Sequence, residues 1–193
     1  ADRVELCSAL YLGGLTPSLG SLLELKAQTE IKVATMIRPR QGGFCYSKSD
    51  FRTALYDAEL MLKHGADALV VGFLLEDGRV DLARTRAVVE LADKVPVCFH
   101  RAIDVVPDWR EALDGLMEIG VRRLLSSGQA PSAYEGRHVL REMTDYATGR
   151  IEVMPGGGIR AGNVQELLAV TGAREIHLGG VSRLMQDSST QHN

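Results

Sequence analysis

A parallel α/β barrel is what this sequence predicts, on three observations. Short, β-branched apolar runs recur along the chain, helical patterns follow them in turn, and no change of composition divides the series. The runs are RVELC (3–7), IKVATMI (31–37), ALVVGFL (68–74), VPVCFH (95–100), RRLLSS (122–127), IEVMP (151–155) and EIHLG (175–179). Each is bounded by Gly, Pro or charged residues, the punctuation of a buried strand. A strand, a crossover helix and a further strand in series make a parallel sheet with right-handed connections. Seven such units without a reversal favour a TIM (β/α)8 barrel over an open doubly wound sheet, the alternative for the same pattern.

The helix segments carry their own signals. SLGSLLELKAQ, SDFRTALYDAELMLKHG, DLARTRAVVELAD, DWREALDGLMEIG, YEGRHVLREMTDYA and NVQELLAVTG have apolar residues at helical spacing. In the second, Leu55, Ala58, Leu60 and Leu62 form the expected sheet-facing stripe. Asp108 and Asn163 stand where N-caps belong. Gly65, Gly120, Gly149 and Gly172 stand where a helix ends in the left-handed conformation.

Seven units are one short of a closed barrel. The strands at 68 and 175 are preceded by HGAD and TGAR, whereas the chain opens directly on ADRVELC. VSRLMQDSSTQHN has too little periodicity for a covering helix. The pattern is that of a single domain, 1–193, an incomplete barrel lacking its first βα unit and its C-terminal helix. Such a barrel has unpaired edges at its first and last strands. Either the native protein has seven strands, or, as the pattern favours, the sequence is part of a longer chain.

Composition limits the function. The chain is 45% hydrophobic and 24% charged with a net charge of −3, and its Lys and Arg are scattered. A nucleic-acid interface needs a basic stripe, which is missing. No apolar run approaches membrane-spanning length and no signal peptide opens the sequence, so no membrane partner is expected. Three cysteines in no CxxC pattern fit a reducing, cytoplasmic setting. Exterior helices offer room for a homo-oligomer, although no surface stripe marks one.

Candidate site residues follow from barrel geometry, which gathers side chains at the C-terminal strand ends. Glu5 and Cys7 alternate with Val4 and Leu6, so the polar pair faces the barrel. Met36 and Arg38 share a face, as do Cys98 and His100, with Arg101 and Asp104 just beyond. Ser126 and Ser127 end one strand, and His177 lies in the last. Glu5, Arg38 and His100 are the candidate catalytic set: an arginine to clamp a carboxylate or phosphate, and a carboxylate and imidazole to exchange protons. A structural Glu5–Arg38 ion pair is the equally available plain reading. Gly156, Gly157 and Gly158, in the loop after the strand at 151, and Gly179 and Gly180 after the next, are candidate anion-binding positions. Cys98 reads as core, Cys45 as a loop thiol, and His64 and His138 as surface residues. No HxH, HExxH or CxxC spacing indicates a preformed zinc site. A soft-metal site would start from Cys7 and suit Cu(I).

ADRVELCSAL, GGLTPS, MIRPRQGGFCYS, FHRAID, LLSSG and VMPGGGI, in that order over nearly the whole chain, resemble the signatures of the CutC family, named for copper homeostasis. The resemblance implies a TIM barrel that begins with a strand like M-E-V-C-V-D and continues past the histidine strand. It also implies cytoplasmic copper tolerance and Cu(I) bound by cysteines near the barrel mouth. Cys7 matches one of them; the other would fall on a strand preceding this sequence, so the thiol pair cannot form within it. HLGGVSRLM only partly matches the family's final motif, which leaves the roles of His177 and Ser182 open. Two functions are therefore expected: a Cu(I)-binding protein, or a barrel enzyme acting on a small phosphorylated or carboxylated molecule.

Overall fold

Parallel strands and helices alternate along the chain, as the periodicity requires. The structure, a computed structural model, describes residues 1–147 and 149–179. The strands are β1 (Arg3–Leu6), β2 (Lys32–Met36), β3 (Ala68–Val71), β4 (Val97–Phe99), β5 (Arg123–Ser126) and β6 (Glu152–Pro155). The helices are α1 (Leu19–Gln28), α2 (Lys48–Lys63), α3 (Leu82–Ala92), α4 (Trp109–Glu118), α5 (Arg137–Ala147) and α6 (Val164–Thr171). The strands pair in chain order, β1-β2-β3-β4-β5-β6, and every pairing is parallel. A doubly wound sheet reverses its order at a switch point; this one does not.

The sheet curls into a half-barrel. Arg3 on β1 reaches across to Met154 on β6 at 3.3 Å and to Glu175, which Arg123 on β5 also holds at 2.9 Å. Alternation along the strands sorts the core into two environments. On the concave side lie Ala34, Met36, Val70, Cys98, Leu125 and Met154, with Cys7 against them. On the convex side, Val33, Leu69, Val71 and Val97 meet Ala54, Ala58 and Met61 of α2. Farther along that side, Phe99, Leu124 and Val153 meet Leu113, Leu116 and Leu140 of α4 and α5. Each such side chain is worth about 1.5–3 kcal/mol when fully buried.

Three sequence expectations change. The strand expected at 175–179 is reduced to one parallel bridge, Gly156 to His177, carried by the His177 N–H on the Pro155 carbonyl at 2.8 Å. Its neighbour leaves extended backbone at Gly157, where φ is 100°, so Leu178 and Gly179 do not continue the ladder. In α2 the buried stripe is Ala54, Ala58 and Met61; Leu60 points away and is 42% exposed. Asn163 precedes α6, but its side chain caps nothing in the helix. It accepts the Arg160 N–H at 2.8 Å and donates to the Gly158 carbonyl at 3.1 Å, bracing the preceding loop. Gly180, Ser182 and the expected uncovered C-terminal end lie outside the described residues.

Other local expectations hold. Gly172 ends α6 with φ 66°, and Gly65, Gly120 and Gly149 also have positive φ. Asp108 caps α4 by accepting the N–H groups of Arg110 at 2.8 Å and Glu111 at 3.3 Å. Helix α4 carries Trp109, Leu113 and Leu116 into the convex core, so loss of the cap is transmitted to the fold. Asp108→Ala is expected to lower stability by about 1 kcal/mol, measured as a reduced urea midpoint with an unchanged denaturant slope.

Candidate functional site

The C-terminal ends of the strands form the mouth of the half-barrel, and the inward-facing residues end there. Arg38 follows β2 and is 6% exposed. Its guanidinium is engaged by backbone: Nη1 donates to the carbonyls of Leu12 at 2.9 Å and Gly14 at 3.0 Å, and Nη2 to Gly42 at 2.8 Å. Its own N–H donates to Thr16 Oγ1 at 2.9 Å. Arg38 thus joins the loops after β1 and β2. Among the described residues, Nε is left without a partner. A Glu5–Arg38 ion pair is not formed; the ionic neighbour of Glu5 is His177, whose Nδ1 lies 3.9 Å from Glu5 Oε2. Burial raises the Glu5 carboxyl above its ordinary pKa, and the His177 charge opposes that rise.

His100 is 4% exposed at the end of β4. Its ring lies over Gly72, where a Cβ would come within 2.1 Å of Cε1. Phe44, from the loop after β2, stacks on it with ring centroids 4.9 Å apart and faces the Arg38 guanidinium at 5.3 Å on its other contact. The His100 Nδ1 accepts the Ala102 N–H at 3.1 Å, so the neutral ring carries its proton on Nε2. That Nε2 is buried and has no partner among the described residues. Burial, then the Arg38 charge, pushes the His100 pKa down to about 3. At neutral pH this imidazole is therefore a hydrogen-bond donor through Nε2 and no base.

Four sulfur-bearing side chains share the concave core: Cys7, Met36, Cys98 and Met154. Cys98 is 4% exposed and its thiol is pushed up to about 12, chiefly by burial. Cys7 lies at the rim, half-buried, with its thiol raised by burial and then by the Glu5 charge. Cys7 Sγ and Met36 Cε both lie within 4 Å of the place a Cβ on Gly14 would occupy, at 3.4 and 3.6 Å. Cys45 is exposed on the loop after β2. Among the described residues, no three His, Cys, Asp or Glu side chains gather as a metal site.

The glycine loop is tightly seated. A Cβ on Gly156 would meet Leu125 Cδ1 at 2.4 Å, and one on Gly157 would meet Arg101 Nη1 at 3.1 Å. At Gly179, two residues past His177, no described atom lies within 4 Å of the place a Cβ would take. Arg101 and Asp104, from the 3-10 turn Arg101–Val105 after β4, are the site residues whose roles the sequence did not disclose. Their i, i+3 spacing in FHRAID is the available signal. Asp104 accepts from Arg101 Nε at 2.8 Å, Ser126 Oγ at 2.6 Å and the Ser127 N–H at 3.0 Å. This ties the β4 loop to the end of β5 and sets Arg101 against the glycine loop.

The state of His100 can be checked directly. Its folded pKa lies below its unfolded value, so it favours folding at neutral pH and disfavours it as pH falls through about 6.5 towards 3. In ¹⁵N NMR, the His100 ring is expected to stay the Nε2–H tautomer, without titrating, from pH 8 to pH 5. A midpoint near 6.5 would contradict the buried geometry.

Comparison with known proteins agrees with this fold. The CutC family pattern matches residues 1–182. A CutC family protein of Treponema denticola is 47% identical over 193 residues, covering all of this chain and 78% of the relative. The mouse and human copper homeostasis protein cutC homologs are 46% and 45% identical over 177 residues, 92% of this chain. The chain spans 65% of each of those two proteins. The crystal structure of a copper homeostasis protein CutC from Streptococcus agalactiae superposes with a TM-score of 0.87 at 34% identity, covering 91% of this chain and 87% of that one. A deoxyribose phosphate aldolase from Aeropyrum pernix shares the fold at TM-score 0.64 and 20% identity, covering 82% of this chain and 68% of its own. On the match over residues 1–182 and these identities, the chain belongs to the CutC family.

Proposed function

We propose that this protein serves copper homeostasis in the cytoplasm by holding Cu(I) as cargo at the barrel mouth, with Cys7 as the thiolate ligand and Met36 as a thioether beside it. The observation that carries the reading is the sulfur set of the concave core, whose rim member is Cys7. Thiolate and thioether donors select Cu(I) over harder cations. Burial and Glu5 disfavour a bare thiolate at Cys7. The same carboxylate favours a cation there, so metal in place of the thiol proton relieves both penalties. Three free, separated cysteines accord with a reducing compartment. The names of the mouse and human relatives support the same reading.

A second reading has its own observation. The Gly156–Gly158 loop cannot accept side chains without displacing its neighbours, and it lies beside Arg101. This supports an enzyme acting on a small phosphorylated or carboxylated molecule. The loop would take the anion, His100 Nε2 would donate to a substrate oxygen, and Glu5 would exchange the proton.

Cu(I) titration against a competing chelator separates the two. Since the Cys7 pKa is raised, the thiol holds its proton at neutral pH and must release it to the solvent as copper binds. The apparent affinity should therefore tighten about tenfold per pH unit between pH 6 and 8. Cys7→Ser should abolish tight binding, Met36→Leu should weaken it by about tenfold, and Cys45→Ser should leave it unchanged. Affinity indifferent to Cys7 would remove the copper reading and leave the second.

A further inference from the structure

Among the described residues, Arg101 is a partly exposed cation of the mouth whose fork is only partly used by the protein. Nε donates to Asp104 at 2.8 Å and Nη2 to Ser127 Oγ at 2.6 Å. Nη1 has no partner among the described residues and lies 3.1 Å from the place a Cβ on Gly157 would take. The side chain is 43% exposed, whereas Asp104 beneath it is 8% exposed. The cation is therefore fixed from below and open from above.

The loop facing it is also short of acceptors. Gly157 and Gly158 have φ of 100° and 71°, and their carbonyls are taken by the Ala133 N–H at 2.9 Å and Asn163 Nδ2 at 3.1 Å. The N–H groups of Gly158 and Ile159 have no protein acceptor among the described residues. Gly158 is exposed, and Gly156 brings His177 to the other side of the loop, its Cβ 3.2 Å from the place a Gly156 Cβ would occupy. A side chain on Gly157 would fill the gap between the loop and the guanidinium.

We propose that Arg101 Nη1 and the N–H groups of Gly158 and Ile159 form a subsite for the phosphate group of a small phosphomonoester. The proposal rests on the reading of the glycine loop as an anion site and adds its cation and its ligand class. A phosphate presents three terminal oxygens in different directions, which suits a guanidinium on one side and backbone donors on the other. A carboxylate presents only two oxygens in one plane, so it matches three donors in different directions less well than a phosphate does. Asp104 and Ser127 are positioning residues: they hold two arms of the fork so that the third faces the ligand. Asp104 also offsets part of the Arg101 charge, which makes the loop donors necessary for binding.

The experiment is a titration of the chain at low salt and pH 7.5 with inorganic phosphate, glycerol 3-phosphate and, as the carboxylate control, glycerate. Binding is followed by calorimetry and by the amide NMR signals of Gly158 and Ile159. Glycerol 3-phosphate should bind several-fold more tightly than phosphate, glycerate should not bind, and both amides should shift on titration. Arg101→Gln should weaken glycerol 3-phosphate at least tenfold, with Arg101→Lys between it and the wild type. Asp104→Asn should weaken binding less than Arg101→Gln. If the wild type binds no phosphate, the anion-loop reading and this proposal both fail. If the wild type binds and Arg101→Gln binds equally well, the loop reading stands and the Arg101 assignment is overturned. Equal affinity for phosphate and its ester overturns the phosphomonoester class. If Arg101→Gln does not fold, Arg101→Lys decides the Arg101 assignment, unweakened binding overturning it, and the amide shifts in the wild type decide the loop donors.

Discussion

Side chains on a strand alternate between two faces, and in a curled parallel sheet that alternation decides both the core and the site. The convex face must match helices, so Val33, Leu69, Val97, Leu124 and Val153 are apolar. The concave face carries Ala34, Val70 and Leu125 beside four sulfur-bearing side chains, and charge is met at its ends. Glu175 between Arg3 and Arg123 meets charge at the bottom, and it is held well below the usual carboxylate range, at about 2. Glu5 with His177 meets it nearer the mouth. A one-residue slip in any strand would exchange these two sets.

The mouth is organised by polar side chains that spend their hydrogen bonds on backbone. Arg38 gathers carbonyls from two loops, and Asp104 gathers donors from its own turn and from the end of β5. Ser47 and Asp50 close a capping box at the start of α2, and Arg40 pairs with Asp50, which anchors the loop carrying Phe44. The result is a rim fixed before any ligand arrives, which limits the ordering cost of binding. Among the described residues, two buried donors inside it, Arg38 Nε and His100 Nε2, remain unmatched. An unsatisfied buried donor costs roughly 1–3 kcal/mol, and the two side chains that carry these donors both pack on one ring, Phe44.

The elements were legible in the sequence because strand and helix periods differ and their ends are punctuated by Gly, Asp and Ser. Hydropathy without phase does not separate Leu60 from the buried stripe; Ala54, Ala58 and Met61 share it and Leu60 does not. Parity also placed Glu5, Cys7, Arg38 and His100 on the concave side. Their partners were not legible. Arg38 is satisfied by carbonyls of Leu12, Gly14 and Gly42, and a carbonyl has no sequence signature. The Nε2 donor role of His100 depends on Ala102 at Nδ1 and on cover from Phe44, far away in sequence. Arg101 meets Gly157 because β4, β5 and β6 pair in order, which brings their loops together.

The copper reading requires that the metal see sulfur. Copper K-edge X-ray absorption of the Cu(I)-loaded protein tests this most directly, since it reports the ligand atoms rather than affinity alone. A shell of sulfur scatterers only, lost on Cys7→Ser, is the result the sulfur set of the mouth predicts. A shell dominated by nitrogen or oxygen, or one unchanged in Cys7→Ser, would contradict it.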